Sequence, residues 1–375
     1  MKKCILPTMF SNLKVAFVHD WLNGMRGGEK VLEQLCRLFP RAPIYTLHMD
    51  PARISADILN HSIHPSFINQ LPYKDRLYRW YLPLYPAAVK QFHFRDFDLV
   101  LSTSHCAAKN VPVPEGTPHL CYCFSPMRYI WELQEEYFGK NKLKHLLLSP
   151  VIHHLKRWDE EGAKRISRII AISKTVQERI QKYYHRQSDI IYPPVDIPFT
   201  PSLPKSNYYL VLSALVPYKR IDLAIRACNL CRYPLKVIGS GPEIQRLRKL
   251  AGPTVQFLGW VRDEEKFQWL KSAKALLFPG VEDFGIVPLE AMAFATPVIA
   301  YHKGGLLETV TEGKTGCFFQ EQTTDSLIQA VQKAEQSSFS VEAFRETVNR
   351  FSAAEFIEKI KQAIQETVHK KRNSP

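Results

Sequence analysis

Short apolar runs alternate with amphipathic segments along most of the chain. A first set of runs compatible with buried strands covers residues 13–19, 98–102, 119–123, 168–172 and 189–192. A second set covers residues 208–213, 235–238, 255–258, 275–278 and 298–301, and a helical pattern follows each of these strands. Apolar strands that alternate with amphipathic helices are typical of parallel sheets with helices on both faces. The pattern therefore predicts an α/β fold with two parallel sheets.

The stretch between the two sets is rich in proline. Residues 193, 194, 198, 201 and 204 are all proline, a composition typical of a stiff connector. We therefore predict a first domain at residues 1–192, a connector at 193–206 and a second domain at 207–345. Apolar residues then recur at helical spacing, which predicts that residues 346–375 form a helical segment with an apolar face.

Length and composition indicate a globular protein of two or three domains. The chain has 375 residues, of which 45% are hydrophobic and 23% are charged, enough apolar residues for a sizeable core. No apolar run reaches the roughly 18 to 20 residues that span a bilayer. The basic start is followed by a short apolar part that contains Pro7, so we expect a ragged N-terminus instead of a signal peptide.

The eight cysteines do not form a recognisable framework. Cys228 and Cys231 have C-x2-C spacing, but no second cysteine pair or histidine pair stands at the spacing of metal ligands. We therefore expect buried reduced thiols, which are typical of a cytosolic protein, and no dedicated metal site.

The formal net charge of +14 indicates an acidic partner or surface. Nucleic acid is not favoured, because basic helix-turn-helix spacing, zinc fingers and an aromatic RNA-binding signature are all absent. Residues 71–94 instead interleave aromatic side chains with basic ones, a mixture suited to the anionic interface of a membrane. The basic residues are Lys74, Arg76, Arg79 and Lys90. This segment, and a second basic stretch at 142–168, are equally compatible with ordinary helices that cover the sheet.

The most informative chemistry lies in residues 278–293, FPGVEDFGIVPLEAMA. A buried strand ends at Phe278, a glycine turn follows, and Pro288 suits the first turn of a helix. Glu282 precedes that helix and Glu290 lies within it, so the two carboxylates can bracket a ligand at the helix N-terminus. Backbone N–H groups at such a terminus hold a diphosphate, and carboxylates accept hydrogen bonds from hydroxyls. The segment therefore predicts a site for a sugar nucleotide.

Other candidate residues follow the ends of predicted strands. Lys219 and Arg220 come after strand 208–213 and are assigned to a diphosphate. Gly239 and Gly241 form a turn that allows backbone to approach a ligand. In the first domain, Gly27 and Gly28 open a helix after a strand and allow the same approach from the opposite wall, although a simple helix-entry turn explains them too.

The E-x7-E spacing of Glu282 and Glu290 resembles the signature of family 4 retaining glycosyltransferases. The family's order is also followed by residues 15–22 with 27–30, 121–129, 191–196, 213–220 and 257–260. The chain is most similar to bacterial mannosyltransferases of lipopolysaccharide O-antigen and related surface glycans. The resemblance implies the GT-B architecture: two Rossmann-like domains facing a cleft, with a C-terminal helix that returns to the N-terminal, acceptor-binding domain.

The resemblance also implies roles for individual residues. Glu282 contacts the donor sugar beside the backbone of Phe284, Gly285 and Ile286, and Glu290 contacts the ribose. Residues around Trp260 and Arg262 contact the base, and no metal or other cofactor is needed. Two positions depart from the family, which commonly has arginine at Ala214 and histidine at Phe124. Arg128 is a candidate contact to phosphate or acceptor. Either the missing histidine is dispensable, or His105 or His19 replaces it, or the acceptor is altered.

We therefore expect a retaining enzyme that transfers mannose from GDP-mannose to a lipid-linked glycan. It is expected in the cytoplasm, peripherally bound to the anionic inner face of the cytoplasmic membrane. The alternatives are a UDP-glucose or UDP-GlcNAc donor, or a degenerate subunit that binds a sugar nucleotide without turnover. A nicotinamide oxidoreductase is disfavoured, because Ile244 stands where the dinucleotide fingerprint after Gly239 and Gly241 requires glycine or alanine.

Overall fold

The computed structural model of the protein describes residues 12–132, 134, 142–202 and 204–372. The predicted ragged N-terminus lies outside these residues. The chain divides into two compact units, one containing the residues up to Pro194 and those from Phe356 onward, the other comprising Val195–Glu355. Each unit contains one parallel sheet, so the predicted α/β fold with two parallel sheets is confirmed.

The first unit has a seven-stranded sheet in the order β3-β2-β1-β4-β5-β6-β7. Its strands are β1 (Val15–His19), β2 (Ile44–Thr46), β3 (Ile63–Pro65), β4 (Leu99–Ser104), β5 (His119–Cys123), β6 (Arg168–Ala171) and β7 (Asp189–Ile190). The strand order reverses between β1 and β4, which pair in parallel from Val15 with Leu99 to His19 with Thr103. In open α/β sheets, ligands bind outside the carboxyl ends of the strands at such a switch point.

Helices and short 3-10 turns connect these strands. The helices are α1 (Gly27–Leu38), α2 (Ala56–Leu59), α3 (Lys74–Leu77), α4 (Tyr85–Lys90), α5 (Arg128–Trp131), α6 (Lys142–Lys164) and α7 (Lys174–Tyr184). The 3-10 turns are Pro51–Arg53, Phe67–Gln70, Tyr78–Leu84 and Ala108–Asn110. Helix α7 begins where the Ser173 hydroxyl accepts a hydrogen bond from the Val176 backbone N–H at 3.2 Å, because free N–H groups at a helix start need acceptors.

A buried ion pair fixes the 3-10 turn that follows β4. Asp159 on α6 accepts hydrogen bonds from Lys109 in this turn, from the Trp131 indole at 2.8 Å and from the Tyr184 hydroxyl at 2.7 Å. Burial disfavours the charged form of Lys109, but nearby acidic groups, chiefly the Asp159 carboxylate, outweigh it and raise the pKa of the lysine. The loop after β4 is therefore held firmly to the helices behind it.

The second unit has a six-stranded sheet in the order β10-β9-β8-β11-β12-β13, with its switch point between β8 and β11. Its strands are β8 (Tyr209–Leu212), β9 (Leu235–Ile238), β10 (Val255–Gly259), β11 (Ala275–Phe278), β12 (Val298–Tyr301) and β13 (Gly316–Phe319). Its helices are α8 (Ile221–Cys231), α9 (Ile244–Leu250), α10 (Asp263–Ser272), α11 (Ile286–Met292), α12 (Leu306–Thr309), α13 (Thr324–Glu335) and α14 (Val341–Arg350), with a 3-10 turn at Pro217–Lys219.

The proline-rich segment after Pro194 belongs to the second unit. The Thr200 backbone N–H donates to the Ala293 carbonyl at 2.8 Å. Lys205 is tied more firmly, because its ammonium donates to the Lys271 and Phe294 carbonyls and to the Thr296 hydroxyl. Burial lowers the pKa of Lys205 to about 8.

The end of the second unit lies later than the predicted boundary after residue 345. The Phe351 ring packs 5.4 Å from the ring of Phe284, and the Phe351 carbonyl accepts from the Val195 backbone N–H at 2.8 Å. The last helix, α15 (Ala353–Arg372), belongs to the first unit from Phe356 onward. There Phe356 packs against Tyr122, and Arg168 on β6 donates to Glu366 at 2.7 Å.

Candidate functional site

The switch point of the second unit brings together two charged residues that are far apart in the sequence. Lys219 ends the 3-10 turn after β8, and its ammonium donates a hydrogen bond to Glu282 Oε1 in the loop after β11. Lys219 is buried, whereas 29% of the Glu282 side chain is exposed. Gly280 allows the two loops to meet, because a Cβ at this position would lie only 2.8 Å from the Cα of Lys219.

The loop that carries Glu282 is also held from the other side. The Gly305 backbone N–H, in the turn after β12, donates to the Glu282 carbonyl at 2.9 Å. Gly304 has a φ of +75°, and a Cβ at Gly305 would lie 2.4 Å from the Asp283 carbonyl oxygen. Both glycines are therefore required by close backbone approach, which fixes the main chain on either side of the Glu282 side chain.

Glu290 lies on α11, whose first residue is Ile286 and whose preceding residue, Gly285, has a φ of +96°. The Glu290 side chain is mostly buried, and Oε1 accepts from the Lys266 ammonium on α10 at 2.9 Å. Lys266 also lies 3.0 Å from Asp263 Oδ1. Burial disfavours the charged form of Lys266, but the Glu290 and Asp263 carboxylates together outweigh it and raise the pKa of the lysine.

Several of the predicted contact residues also have a structural role in the second unit. Phe284 is buried in the core of the second unit. Arg220 has a φ of +50° and lies with Nε 3.3 Å from Asp222 Oδ1, at the start of α8. A Cβ at Gly239 would lie 1.8 Å from the Ser213 carbonyl oxygen, and one at Gly241 would lie 2.3 Å from the Leu215 carbonyl oxygen. These two glycines are thus accounted for by packing of the β9 turn against the loop after β8.

The residues predicted to lie near a base follow β10. Trp260 is 74% exposed and Arg262 is also exposed, at the N-cap of α10. Lys266 lies one helical turn after Arg262 on the same helix. The exposed segment is therefore next to the Lys266–Glu290 pair along the chain.

These residues form two pairs of opposite charge, one in the loop before α11 and one on α11 itself. Each carboxylate, Glu282 and Glu290, faces a lysine across a short distance. A ligand that carries both anionic oxygens and hydroxyls can pair with the lysines while its hydroxyls donate to the carboxylates. Sugar nucleotides have this combination.

The switch point of the first unit contains a buried carboxylate, Asp20, directly after β1. Its two oxygens accept hydrogen bonds from the backbone N–H groups of four consecutive residues in the loop after β4, at 2.6 to 2.9 Å. The residues are His105, Cys106, Ala107 and Ala108. Burial alone would raise the pKa of Asp20, but His105 and the backbone donors hold it well below its usual range.

The two histidines at this switch point differ in exposure. His19 is buried, with Nδ1 2.7 Å from the Thr103 hydroxyl, and burial lowers its pKa to about 4. His105 has a side chain 32% exposed, with Nδ1 3.1 Å from Asp20 Oδ2, and its ring meets Trp21 edge to face at 4.5 Å. His105 is therefore the histidine with access to solvent, and Asp20 and Trp21 set its orientation.

The other predicted residues of the first unit lie around the same point. The Phe124 ring is 6.4 Å from His19 and 6.3 Å from His105. A Cβ at Gly28 would lie 3.2 Å from the Phe124 ring, so Gly28, next to Gly27 at the start of α1, packs on this phenylalanine. Arg128 is half-buried and begins α5, which follows β5 after a short loop.

Two charged residues were not singled out from the sequence. Asp20 follows a strand end in the segment His19-Asp20-Trp21, and a polar residue at that position is a usable signal because strand ends meet at the switch point. Lys266 offers no comparable signal, since it lies within a charged helix start that reads as a solvated face.

Two family models match adjacent parts of the chain. The model described as Glycosyltransferase Family 4 matches residues 25–198, and the model described as Glycosyl transferases group 1 matches residues 196–354. Together they cover most of the first unit and nearly all of the second.

Curated proteins that resemble the chain include mannosyltransferases. O-antigen chain mannosyltransferase C of Escherichia coli is 29% identical over 133 residues, which are 33% of this chain and 36% of that protein. Human alpha-1,3/1,6-mannosyltransferase ALG2 is 28% identical over 46% of this chain and 50% of its own length. A GDP-mannose-dependent alpha-(1-6)-phosphatidylinositol monomannoside mannosyltransferase of Mycobacterium tuberculosis is 36% identical over 32% of this chain and 36% of its length. The chain spans half or less of each of these relatives.

Solved structures share the fold over nearly the whole chain. Sucrose-phosphate synthase from Thermosynechococcus elongatus has a TM-score of 0.72 at 17% identity, covering 94% of this chain and 98% of its own. Anabaena HepE in complex with UDP-glucose has a TM-score of 0.70 at 17% identity, covering 95% and 100%. These structures show that the chain has the GT-B fold. The two family models confirm the resemblance of the sequence, and the chain belongs to the family 4 glycosyltransferases.

Proposed function

We propose that the protein is a retaining glycosyltransferase that moves mannose from GDP-mannose to a lipid-linked glycan acceptor in surface polysaccharide synthesis. The names of the related proteins support this choice, since one transfers mannose in O-antigen chains and another depends on GDP-mannose. The competing donor is a UDP-sugar, because the HepE structures of the same fold hold UDP and UDP-glucose.

The observation that carries the proposal is the hydrogen bond between Lys219 and Glu282 across the β8–β11 switch point. When a glycosyl–phosphate bond breaks, negative charge accumulates on the departing diphosphate and needs a cation nearby. In our proposal Lys219 turns from Glu282 to the diphosphate, assisted by Arg220, and Glu282 then accepts hydrogen bonds from the sugar hydroxyls.

The remaining donor contacts follow from the same arrangement. Glu290 accepts hydrogen bonds from the ribose diol, and the backbone of Phe284, Gly285 and Ile286 faces the sugar and phosphate. Residues near Trp260 and Arg262 contact the base, and the Gly239 and Gly241 turn lines the site. Lysine and backbone donors supply the positive charge, so we propose that the reaction requires no metal ion.

The chemical step that we propose is attack from the same face as the leaving group. The bond from the anomeric carbon to the phosphate oxygen breaks, a bond to the acceptor hydroxyl oxygen forms, and the acceptor proton passes to the leaving phosphate. The configuration of the sugar is retained because both bonds lie on one face.

Residues of the first unit are proposed to bind the acceptor or the donor phosphate. They are Gly27, Gly28, Arg128 and His105. Phe124 cannot donate or accept a hydrogen bond at the position where the family resemblance leads us to expect histidine. His105 is the better replacement than His19, because His19 is buried against Thr103 while the His105 ring reaches solvent.

Thermal denaturation with a panel of nucleotides tests the donor assignment. GDP-mannose and GDP should raise the Tm more than UDP-glucose, UDP-GlcNAc or NAD at equal concentration, because a ligand that binds only the native state stabilises it. Release of labelled mannose in the presence and absence of acceptor then measures turnover. A larger Tm shift with a UDP-sugar would replace the donor, and binding without turnover would indicate a degenerate subunit.

We also propose that the first unit contacts anionic membrane lipids. No helix among the described parts of the chain has the length and hydropathy to cross a bilayer. The 71–94 segment is partly a structural cover, since Tyr78, Tyr85 and Phe92 are buried. Other apolar side chains on the first unit are exposed, among them Tyr73, Leu77, Trp80, Leu84, Leu146 and Leu147.

The basic residues of the 71–94 segment also include one that is exposed and one that makes structural contacts. Lys90 is exposed, whereas Lys74 donates to the Met49 carbonyl at 2.9 Å and to Asn69 at 2.7 Å. The side chains of Arg76 and Arg79 lie outside the described residues. Exposed apolar side chains beside basic ones suit the headgroup region of an anionic bilayer, which supports peripheral binding at the inner face of the cytoplasmic membrane.

Vesicle flotation tests the membrane contact. The double variant Leu146→Ser and Leu147→Ser, and separately Trp80→Ser, should weaken binding to vesicles of mixed neutral and anionic phospholipid in low salt. Neutralising Arg76, Arg79 and Lys90 together should weaken it further. Leu230→Ser is the matched control, because Leu230 is 70% exposed on the second unit. Equal binding by all variants would contradict the proposal.

A further inference from the structure

Lys266 contacts the carboxylate that we assign to the donor ribose. Its ammonium lies 2.9 Å from Glu290 Oε1 and 3.0 Å from Asp263 Oδ1. Only 15% of the Lys266 side chain and 11% of the Glu290 side chain are exposed. The pair is thus largely removed from water. In a buried site the attraction between opposite charges is stronger than in water and is only weakly screened by salt.

The contact is specific to one lysine of helix α10. Lys271 lies on the same helix and is also half-buried, but its ammonium is 5.3 Å from the centre of the Phe294 ring. Lys266 stands one turn after Asp263, which places its ammonium between a carboxylate of its own helix and Glu290 on α11.

A carboxylate that binds a ribose diol needs a defined orientation and a negative charge. Two vicinal hydroxyls donate to one carboxylate only when its plane is set toward both of them. A lysine bound to Oε1 restricts rotation of the Glu290 carboxylate, and it also compensates the charge of a group that is largely buried.

We propose that Lys266 is a positioning residue for the nucleoside subsite, which sets the Glu290 carboxylate to receive the ribose hydroxyls. The inference rests on the proposed function, in which Glu290 binds the ribose. Lys266 itself contacts no ligand in this proposal and acts through Glu290 alone. The simpler alternative is that the ion pair only fastens α10 to α11.

Isothermal titration with nucleotides separates the two roles. GDP and UDP are each compared with their 2′,3′-dideoxy forms, which lack the ribose diol. Lys266→Met should weaken binding of the ribonucleotide about tenfold, the size of one charge-assisted hydrogen bond, and binding of the dideoxy form less than about twofold. If the pair only fastens the helices, the variant should weaken both forms equally.

Three further variants make the result decisive. Lys266→Arg keeps a cation at this position and should restore the preference for the ribonucleotide. Lys271→Met removes a half-buried lysine from the same helix and should bind as the wild type does. Glu290→Gln should lose the preference as Lys266→Met does.

The possible failures are distinguishable. Equal loss for both nucleotide forms, or no loss, in folded Lys266→Met would overturn the role of Lys266 while Glu290 keeps its own. An unchanged preference in Glu290→Gln would remove the ribose assignment. Failure of the wild type to bind GDP or UDP would overturn the proposed function and this inference with it.

Discussion

The two units of the molecule share one feature, a polar site where the strand order of a parallel sheet reverses, but they balance its charge differently. In the first unit, Asp20 accepts hydrogen bonds from four backbone N–H groups and lies 3.1 Å from His105 Nδ1. In the second unit, Glu282 and Glu290 each face a lysine side chain. A backbone donor cannot leave its acceptor unless the loop unfolds, whereas a lysine can rotate toward a ligand.

The two sites therefore use their charges differently: the contacts of Asp20 hold a loop in place, whereas the lysine–glutamate pairs can exchange partners when a ligand binds. Asp20 ties the loop after β4 to the end of β1 and thereby orients His105, so its contribution is to the shape of the first unit. Lys219 and Glu282 neutralise one another in the absence of ligand, and each can take a partner of opposite character when a sugar nucleotide binds. Substitutions in the first site should therefore mainly reduce stability, and substitutions in the second site should mainly reduce activity.

The largest expected effect is loss of stability on Asp20→Ala. The change leaves several buried backbone N–H groups without an acceptor, which should reduce the free energy of unfolding by about 3 to 5 kcal/mol. Urea denaturation followed by circular dichroism measures this loss. Asp57→Ala is the control, because the exposed Asp57–Arg37 ion pair, at 2.7 Å, should contribute less than about 1 kcal/mol. Similar losses for both variants would contradict a structural role for Asp20.

Removing Lys219 should affect catalysis more than folding. Lys219→Ala removes the cation that meets the leaving diphosphate, so kcat should fall by about 100- to 1,000-fold, measured by release of labelled sugar. Lys333→Ala is the matched control in the same unit, since the exposed Lys333–Glu312 pair has the same chemistry at 2.6 Å. A kcat that falls equally in both variants, or in neither, would contradict the distinction between the two sites.

The effect that is smallest over a single pH unit concerns protons in the first unit. Burial lowers the pKa of His19 to about 4 and that of His119, whose Nε2 lies 2.8 Å from the Ser102 hydroxyl, to about 3. Below about pH 6.5 the unfolded chain binds a proton at each histidine that the folded chain does not bind. The free energy of unfolding should therefore decrease by about 1.4 kcal/mol per pH unit for each histidine as the pH falls from 6.5 to about 4.

Urea denaturation at pH 7, 6 and 5 measures this slope. Above about pH 4.5 the carboxyl group of Asp20 stays ionised in both the folded and the unfolded chain, so the histidines titrate separately from it. The double variant His19→Asn and His119→Gln should show a shallower dependence on pH than the wild type, even if it is less stable at every pH. An unchanged slope would show that these imidazoles do not exclude protons in the folded protein.

Much of the fold followed from local pattern. The strands predicted at 119–123, 235–238, 275–278 and 298–301 have these bounds in the structure. Strands β2, β3 and β13 were not predicted, because β2 and β3 have only three residues each and β13 begins with Gly316. Three-residue runs have no readable period, and the positions of β2 and β3 are set by pairing with a neighbouring strand.

The candidate site was predicted in part. The glycine turn, the start of α11 and the two glutamates were visible in one short segment because they are close in sequence. The lysine partners of these glutamates were harder to predict from the sequence. Lys266 comes from a helix start whose charges resemble an ordinary solvated face, and only the approach of α10 to α11 shows that it meets Glu290.

The sequence by itself determined the class of the protein: apolar runs of strand length between amphipathic helices specify parallel sheets, and the segment 278–293 specifies where the second sheet carries its chemistry. The tertiary structure alone decided the pairs: Lys219 with Glu282, Lys266 with Glu290, and Asp20 with the loop after β4. The reason is that period and propensity act over neighbouring residues, whereas these contacts join residues 24 to 88 positions apart, whose meeting depends on strand order and on glycines that let loops touch.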